Sequence, residues 1–200
     1  MRYDPTKHHR RSIRLREYDY GQAGAYFVTV CTQHRECLFG EVVDGGMVLN
    51  APGKVVAAVW LRSAVIRGEI ELDVFVVMPN HLHGIVVIRD VGAHGRAPVP
   101  TALRRSPRSL GSFIAGFKSA ATKRINEIRG TSGTPVWQRN YYEHVIRDED
   151  DLARVRRYIA ENPLRWSEDP ENPLEARPVG GDGRLGDHRG SPLRPDGGSP

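Results

Sequence analysis

The chain has 200 residues, 39% of them hydrophobic, and a formal net charge of +5. This is enough for one domain with a buried core, and no apolar run approaches the about 20 residues of a membrane-spanning helix. The basic N-terminal stretch lacks the apolar block of a secretory signal, and two cysteines do not make a disulfide framework. We therefore expect a cytoplasmic protein with reduced thiols.

The first half of the chain reads as strands around one helix. Gly24–Gln33 is rich in β-branched and aromatic residues, which favours a strand. Cys37–Asn50 predicts a hairpin around an Asp-Gly-Gly turn. Apolar residues near helical spacing predict a helix over Ala51–Arg67. Ile70–Asn80 predicts another strand, which ends in Met-Pro-Asn because proline cannot donate to a sheet ladder.

The second half continues with His81–Ile88 as a strand, followed by an exposed Pro-, Gly- and Arg-rich loop. Leu110–Ile128 predicts the clearest helix. Its apolar stripe consists of Leu110, Phe113, Ile114, Phe117, Ala121 and Ile125. Val136–Arg147 predicts a strand, and Asp148–Asn162 predicts a final helix with an acidic first turn.

This order of elements predicts an α+β fold with a mostly antiparallel sheet and helices covering one face, and the ferredoxin-like arrangement fits best. Residues 1–19 form a basic arm, and residues 20–166 form the domain. Residues 167–200 are dense in glycine, proline and charge, so we expect a disordered tail.

Two histidines interrupt the apolar sequence of the strand that begins at His81. Because side chains alternate across a strand, His81 and His83 point to one face while Leu82 enters the core. On an open surface they lie about 7 Å apart along the chain, close enough to converge on one divalent ion. Imidazole suits Zn, Mn, Ni, Fe and Cu, whereas Mg needs additional oxygen ligands. A bare His-x-His is also common as two unrelated surface histidines.

The final predicted helix supplies further candidates. Tyr158 and Asn162 are one helical turn apart at the edge of its apolar stripe, so both can face the histidines. The amide oxygen of Asn162 can complete a coordination shell, and a tyrosine oxygen is a possible nucleophile. Tyr141 and Tyr142 are rival nucleophiles that face opposite ways in a strand, and His144 is a spare ligand candidate.

These parts together resemble the single-tyrosine His-hydrophobic-His transposases, and in particular the REP-associated tyrosine transposases. The resemblance runs over about Tyr20–Trp166. Its most specific segments are "MPNHLHG", "WQRNYYEHVIRDEDDL" and "YIAENP".

The resemblance implies roles for individual residues. It places His81, His83 and Asn162 as ligands of Mg²⁺ or Mn²⁺, and Tyr158 as the catalytic nucleophile. It implies an RRM-like antiparallel sheet with helices. The implied activity is cleavage and rejoining of single-stranded DNA beside hairpins, through a 5′-phosphotyrosine intermediate, by a nucleoid-associated monomer or homodimer.

Clustered arginines also favour a nucleic-acid partner, although any single one is as well explained as a solvated side chain. The expected phosphate contacts are Arg10, Arg11, Arg104, Arg105, Lys118, Lys123 and Arg139.

Three other functions compete with strand transfer. A hairpin-binding protein with vestigial catalysis has the same fold and charge. An RNA-binding module uses surface aromatic residues and needs no metal. A zinc hydrolase lacks a carboxylate base within the motif.

Overall fold

The structure is a computed structural model, and it describes residues 22–89, 109–169 and 171–173. The predicted basic arm, the loop over residues 90–108 and most of the predicted tail lie outside the described residues. The elements in chain order are β1 Gly24–Cys31, β2 Gly40–Val43, β3 Gly46–Leu49, α1 Ala51–Ile66, β4 Ile70–Val77, β5 His81–Ile88, α2 Leu110–Arg129, β6 Tyr142–Ile146 and α3 Glu149–Glu161. Short 3₁₀ helices cover Gln33–Arg35 and Pro163–Glu168.

Four strands form one sheet in the order β4-β5-β1-β6, and every neighbouring pair is antiparallel. The β2–β3 hairpin forms a separate two-stranded sheet. With α1 between β1 and β4 and α2 between β5 and β6, this is the ferredoxin-like arrangement. The α+β prediction with an antiparallel sheet is confirmed.

Each of α1, α2 and α3 begins after a residue whose side chain caps it. The side chains of Asn50, Ser109 and Asp148 accept hydrogen bonds from the backbone amides three residues later. Such caps satisfy backbone donors that have no partner inside the helix. All six residues of the apolar stripe predicted for α2 are buried.

Helices α1 and α2 pack on one face of the sheet. Trp60 is fully buried there, with its ring centroid 5.0 Å from that of Phe117 and 5.3 Å from that of Phe113. Gly84 of β5 makes room for this indole, because a Cβ atom at Gly84 would lie 2.8 Å from the Trp60 ring. Leu82 belongs to the same cluster, as the alternation of the strand predicts.

Helix α3 packs on the opposite face, where Val155 and Ile159 contact Phe27 and Ile85. The prediction that helices cover one face is therefore wrong for α3. Both faces of β1 and β5 carry apolar side chains, because the residues that alternate with the first cluster form this second one. The sheet therefore lies between two layers of helix.

The strand predicted over Val136–Arg147 is shorter in the structure, where β6 covers Tyr142–Ile146. In the segment before β6, Trp137 forms only an isolated bridge with Thr32. The ammonium of Lys118 donates to the backbone carbonyl oxygens of Gln138 and Asn140 there, at 2.9 and 2.8 Å. None of the helices among the described residues combines the length and apolarity needed to cross a membrane.

Candidate metal and nucleophile site

The two histidines of β5 lie on the α3 side of the sheet, with ring centroids 4.3 Å apart. Their shared face agrees with the prediction, but the expected open surface is wrong. His81 is 0% exposed and His83 is 2% exposed. Side chains of α3 and of the Pro163–Glu168 helix cover them, including Tyr158 and Trp166, whose rings lie 5.2 Å from His83 and 6.0 Å from His81.

The orientation of His81 is fixed by Asn80. Nδ1 of His81 lies 2.8 Å from Oδ1 of Asn80, and an amide oxygen can only accept, so Nδ1 carries the hydrogen. The Asn80 amide nitrogen donates to the backbone oxygens of Arg35 and Glu171, at 3.2 and 2.6 Å, which fixes the direction of Oδ1. Nε2 of His81 is then an unprotonated acceptor, buried and without a hydrogen-bond partner.

The orientation of His83 is fixed from the neighbouring strand. Thr29 is the cross-strand partner of His83, and its hydroxyl lies 2.8 Å from Nδ1. With the Nδ1 hydrogen donated to Thr29, Nε2 accepts from the hydroxyl of Tyr158 at 3.3 Å. A metal ion at this nitrogen would use the same lone pair, so ligation of a metal and the phenol hydrogen bond exclude each other.

Tyr158 projects from α3 toward the histidines. Its ring packs edge-on against Phe27, with centroids 5.9 Å apart. Burial raises the pKa of the phenol, and the carboxylates of Asp169 and Glu171 raise it further. In the described structure Tyr158 is therefore a neutral hydrogen-bond donor, and a nearby cation is needed to favour the phenolate.

Asn162 lies directly after α3, one turn beyond Tyr158. Its amide nitrogen donates to a carboxylate oxygen of Asp169 at 2.9 Å, while its own Oδ1 is buried without a partner. Unpartnered buried oxygen and nitrogen atoms are rare in folded proteins and call for an explanation such as an ion. The structure therefore contains two such atoms, Nε2 of His81 and Oδ1 of Asn162, at one site.

Asp169 is a site residue that the sequence analysis missed. It is 4% exposed, and one ligand atom from each of Asp169, His81 and His83 can be chosen so that all lie within 4.8 Å of one another. The composition of the sequence after Trp166 resembles a disordered tail, so nothing in the sequence pattern singled Asp169 out. The boundary drawn at that tryptophan falls inside the Pro163–Glu168 helix.

The electrostatics of the site favour neutral imidazoles. Burial lowers the pKa of His81 and lowers that of His83 well below its usual value, and the neighbouring His81 lowers it further. Neutral imidazole is the form that binds a metal, so the two side chains are prepared for this role.

The three rival candidates, His144, Tyr141 and Tyr142, have other contacts. Nε2 of His144 lies 2.8 Å from a carboxylate oxygen of Asp151, which joins β6 to the first turn of α3. Tyr141 and Tyr142 face opposite sides of the sheet as predicted, but each is half-buried against an apolar cluster and neither is exposed.

The predicted phosphate contacts are partly outside the described residues, which is where Arg10, Arg11, Arg104 and Arg105 lie. The other three, Lys118, Lys123 and Arg139, line one surface groove of about 900 Å³ beside α2. This groove is on the side of the sheet opposite α3. Since Lys118 already bonds two backbone carbonyls, Lys123 and Arg139 are the better placed of the three for a ligand.

Comparisons with known proteins identify a relative of this chain and a solved structure with a similar fold. An uncharacterized protein from Haemophilus influenzae is 38% identical over 175 residues, covering 84% of this chain and 96% of that protein. No family model matches the chain.

Among solved structures, the chain is similar to a REP-associated tyrosine transposase bound to a REP hairpin. The TM-score is 0.50 with 20% sequence identity, over 89% of this chain and 95% of that one. At this identity the similarity shows the fold, and it supports the resemblance stated from the sequence. The chain thus belongs to the same family as the Haemophilus influenzae protein, and its fold is that of the REP-associated tyrosine transposase.

Proposed function

We propose that this protein is a metal-dependent endonuclease and strand transferase acting on single-stranded DNA beside hairpins, with Tyr158 as its nucleophile. The observation that carries the proposal is the distance of 3.3 Å between the Tyr158 hydroxyl and Nε2 of His83. One copy of the chain supplies this pair, so the proposed site needs no second subunit. The hairpin in the similar solved structure supports DNA of this form as the substrate.

The donor atoms fit a divalent cation. His81 and His83 offer Nε2 atoms, and Asn162 offers an otherwise unpartnered oxygen. The carboxylate of Asp169 either adds an anionic ligand or orients the amide of Asn162. A mixed nitrogen and oxygen set suits Mn²⁺ better than Mg²⁺, which prefers oxygen alone.

The chain's own residues account for the positioning of the nucleophile. Phe27 and His83 hold the phenol at the mouth of the histidine pair. His81, His83 and Asn162 would hold a divalent cation that would neutralise charge on the scissile phosphate and favour the phenolate. Tyr158 then attacks phosphorus in line with the departing 3′-oxygen. The phenol loses one proton, and the 3′-oxygen gains one as it leaves. A 5′-phosphotyrosine and a free 3′-hydroxyl result, and attack by another 3′-hydroxyl reverses the step and joins strands.

A labelled-oligonucleotide experiment tests this proposal. A DNA hairpin with a single-stranded flank is incubated with the full chain and Mn²⁺, Mg²⁺ or a chelator, and products are separated under denaturing conditions. A label at the 3′ end of the DNA should move with the protein, whereas a 5′ label should appear in a shortened free strand. Tyr158→Phe should abolish the adduct, and Tyr142→Phe, the matched control on the same face, should retain it.

A hairpin-binding protein with vestigial catalysis is the second candidate. It is favoured by the burial of the phenol, which raises the pKa of Tyr158 and disfavours the phenolate. It predicts a stable complex with hairpin DNA and no adduct in any metal. An RNA-binding module predicts binding that a chelator does not change, and a zinc hydrolase predicts release of products without attachment of Tyr158. The absence of an adduct in every metal, or product release without attachment of Tyr158, contradicts strand transfer.

A further inference from the structure

Arg35 is a cation at the edge of the histidine site that the proposed function does not use. Its side chain is 27% exposed, and its Nε lies 3.1 Å from a carboxylate oxygen of Glu171. Asn80 links it to the site, because the same amide group donates to the backbone oxygen of Arg35 and accepts from Nδ1 of His81. The arginine is thus two hydrogen bonds away from the imidazole ring.

The backbone at this point is held in an uncommon conformation. His34 and Arg35 both have φ of 57°, in the left-handed region that residues other than glycine rarely adopt. The bond from Asn80 to Arg35 and the hydrogen bond from Thr32 Oγ1 to the Glu36 backbone oxygen at 2.9 Å keep this turn in place. Such strain persists only where surrounding contacts enforce it, and it concentrates at ligand-binding positions.

The charges around the histidines match a phosphodiester. Asp169, Glu171 and Arg35 are charged side chains near enough to His81 to shift its pKa, and Arg35 opposes the two carboxylates. A divalent cation held by the histidines would add positive charge here, which would favour an anionic phosphodiester. Arg35 is the positive side chain among these three. Its present partner, a carboxylate, has the planar acceptor geometry that a guanidinium binds as it binds phosphate.

We propose that Arg35 binds a backbone phosphate of the single-stranded DNA at this site, in the position relative to the guanidinium that the Glu171 carboxylate occupies here. This inference rests on the proposed function for the identity of the substrate. Arg35 then helps to hold the DNA strand across the histidine pair. The carboxylate of Glu171 competes with the DNA phosphate for the guanidinium.

Arg35 and Glu171 should have opposite effects on DNA affinity, and the experiment compares variants of both. Binding is measured by fluorescence anisotropy in the Tyr158→Phe background, so that no covalent adduct forms. The probe is a DNA hairpin with an oligothymidine flank, titrated with Mn²⁺-loaded protein at several salt concentrations. We expect Arg35→Gln to weaken binding on the order of tenfold and to reduce the slope of log K against log salt by about 0.7.

Glu171→Gln should strengthen binding severalfold, because it removes the competing carboxylate. Arg35→Lys should keep the salt slope while losing part of the affinity, and it provides a milder variant if Arg35→Gln folds poorly. Arg89→Gln is the matched control. This exposed arginine is paired with Glu71 just beyond the opposite end of β5, roughly 25 Å from His81 by the rise of a strand. Mn²⁺ affinity should change less than twofold in Arg89→Gln, and every variant is titrated with DNA at a Mn²⁺ concentration that saturates its metal site.

Two results overturn the inference. The first is that Arg35→Gln binds DNA as tightly as its parent. The second is that Arg35→Gln and Glu171→Gln weaken binding equally, which shows that the ion pair only anchors residues 171–173. Arg35-dependent binding by a wild-type chain that forms no adduct refutes strand transfer alone. An adduct whose formation and DNA binding do not depend on Arg35 refutes this inference alone.

Discussion

The two faces of the sheet differ in what they bury. The face toward α1 and α2 is apolar and aromatic, with Trp60, Phe113 and Phe117 packed ring against ring. The face toward α3 has a small apolar cluster and, beside it, the buried polar side chains of His81, His83 and Asn162. The first face supplies hydrophobic stabilisation, and the second gives up part of it to hold a polar site. Stability and chemistry should therefore respond to different substitutions.

The largest expected effect is on stability, from Trp60→Ala. Removing a fully buried indole should lower the free energy of unfolding by about 3–5 kcal/mol, because the α1 and α2 layer cannot close the cavity completely. Chemical denaturation measures this loss. Below its unfolding temperature, the variant should still bind Mn²⁺. A cost below about 1 kcal/mol, or loss of metal binding by the folded variant, contradicts the division between faces.

Asn80→Ala should show the converse. It should weaken metal binding strongly, and it should lower the free energy of unfolding by less than Trp60→Ala does. Loss of the oxygen that orients His81 should weaken Mn²⁺ binding about 10- to 100-fold, as for other residues that orient metal-binding histidines. Calorimetric titration with Mn²⁺ measures this change. Asn126→Ala is a control, because Asn126 is a buried asparagine on α2 that bonds the backbone oxygen of Thr134. Equal losses in both variants point to a general folding defect.

A smaller effect is expected from Tyr158→Phe on metal affinity. The phenol and a metal compete for Nε2 of His83, so removing the hydroxyl should strengthen Mn²⁺ binding about fivefold, equivalent to about 1 kcal/mol for a hydrogen bond. The same titration detects the change. Weaker binding in this variant indicates instead that the tyrosine oxygen is itself a ligand.

The smallest expected effect is on the pH dependence of stability without metal. The pKa values of His81 and His83 are lowered by folding, so below about pH 6.5 the unfolded chain binds protons that the folded chain does not. Stability should therefore decrease as the pH falls from about 6.5, by at most about 1 kcal/mol per histidine at pH 6. His83→Gln should flatten the curve of melting temperature against pH, and a curve that keeps its slope in this variant contradicts the prediction.

The elements that rest on local patterns were predictable from the sequence. The stripe of α2 follows the helical period, and the shared face of the two histidines follows from alternation along β5. The proximity of Tyr158 to His83 was an expectation from the resemblance and from helix geometry, and the structure brings the two side chains together. The catalytic and ligand roles of these residues stay predictions.

The parts that depend on tertiary contacts were not predictable. Helix α3 covers the second face of the sheet because β1 and β5 carry apolar residues on both faces. A sheet with one polar face would leave that face uncovered. Asp169 lies in sequence typical of a disordered tail, and its burial depends on contacts with Asn162. Arg35 looked like any exposed arginine, because its left-handed backbone follows from a bond to Asn80, 45 residues away.

The contact between Gly84 and Trp60 fixes the register of β5. Only a residue without a Cβ fits beneath the indole, so a shift of the strand by one residue would force the side chain of His83 or Ile85 into that space. The same shift would turn Leu82 toward α3 and remove both imidazoles from it. Gly84 therefore sets the positions of the histidines from the opposite face of the sheet. Gly84→Ala should displace the imidazoles of His81 and His83 although it contacts neither.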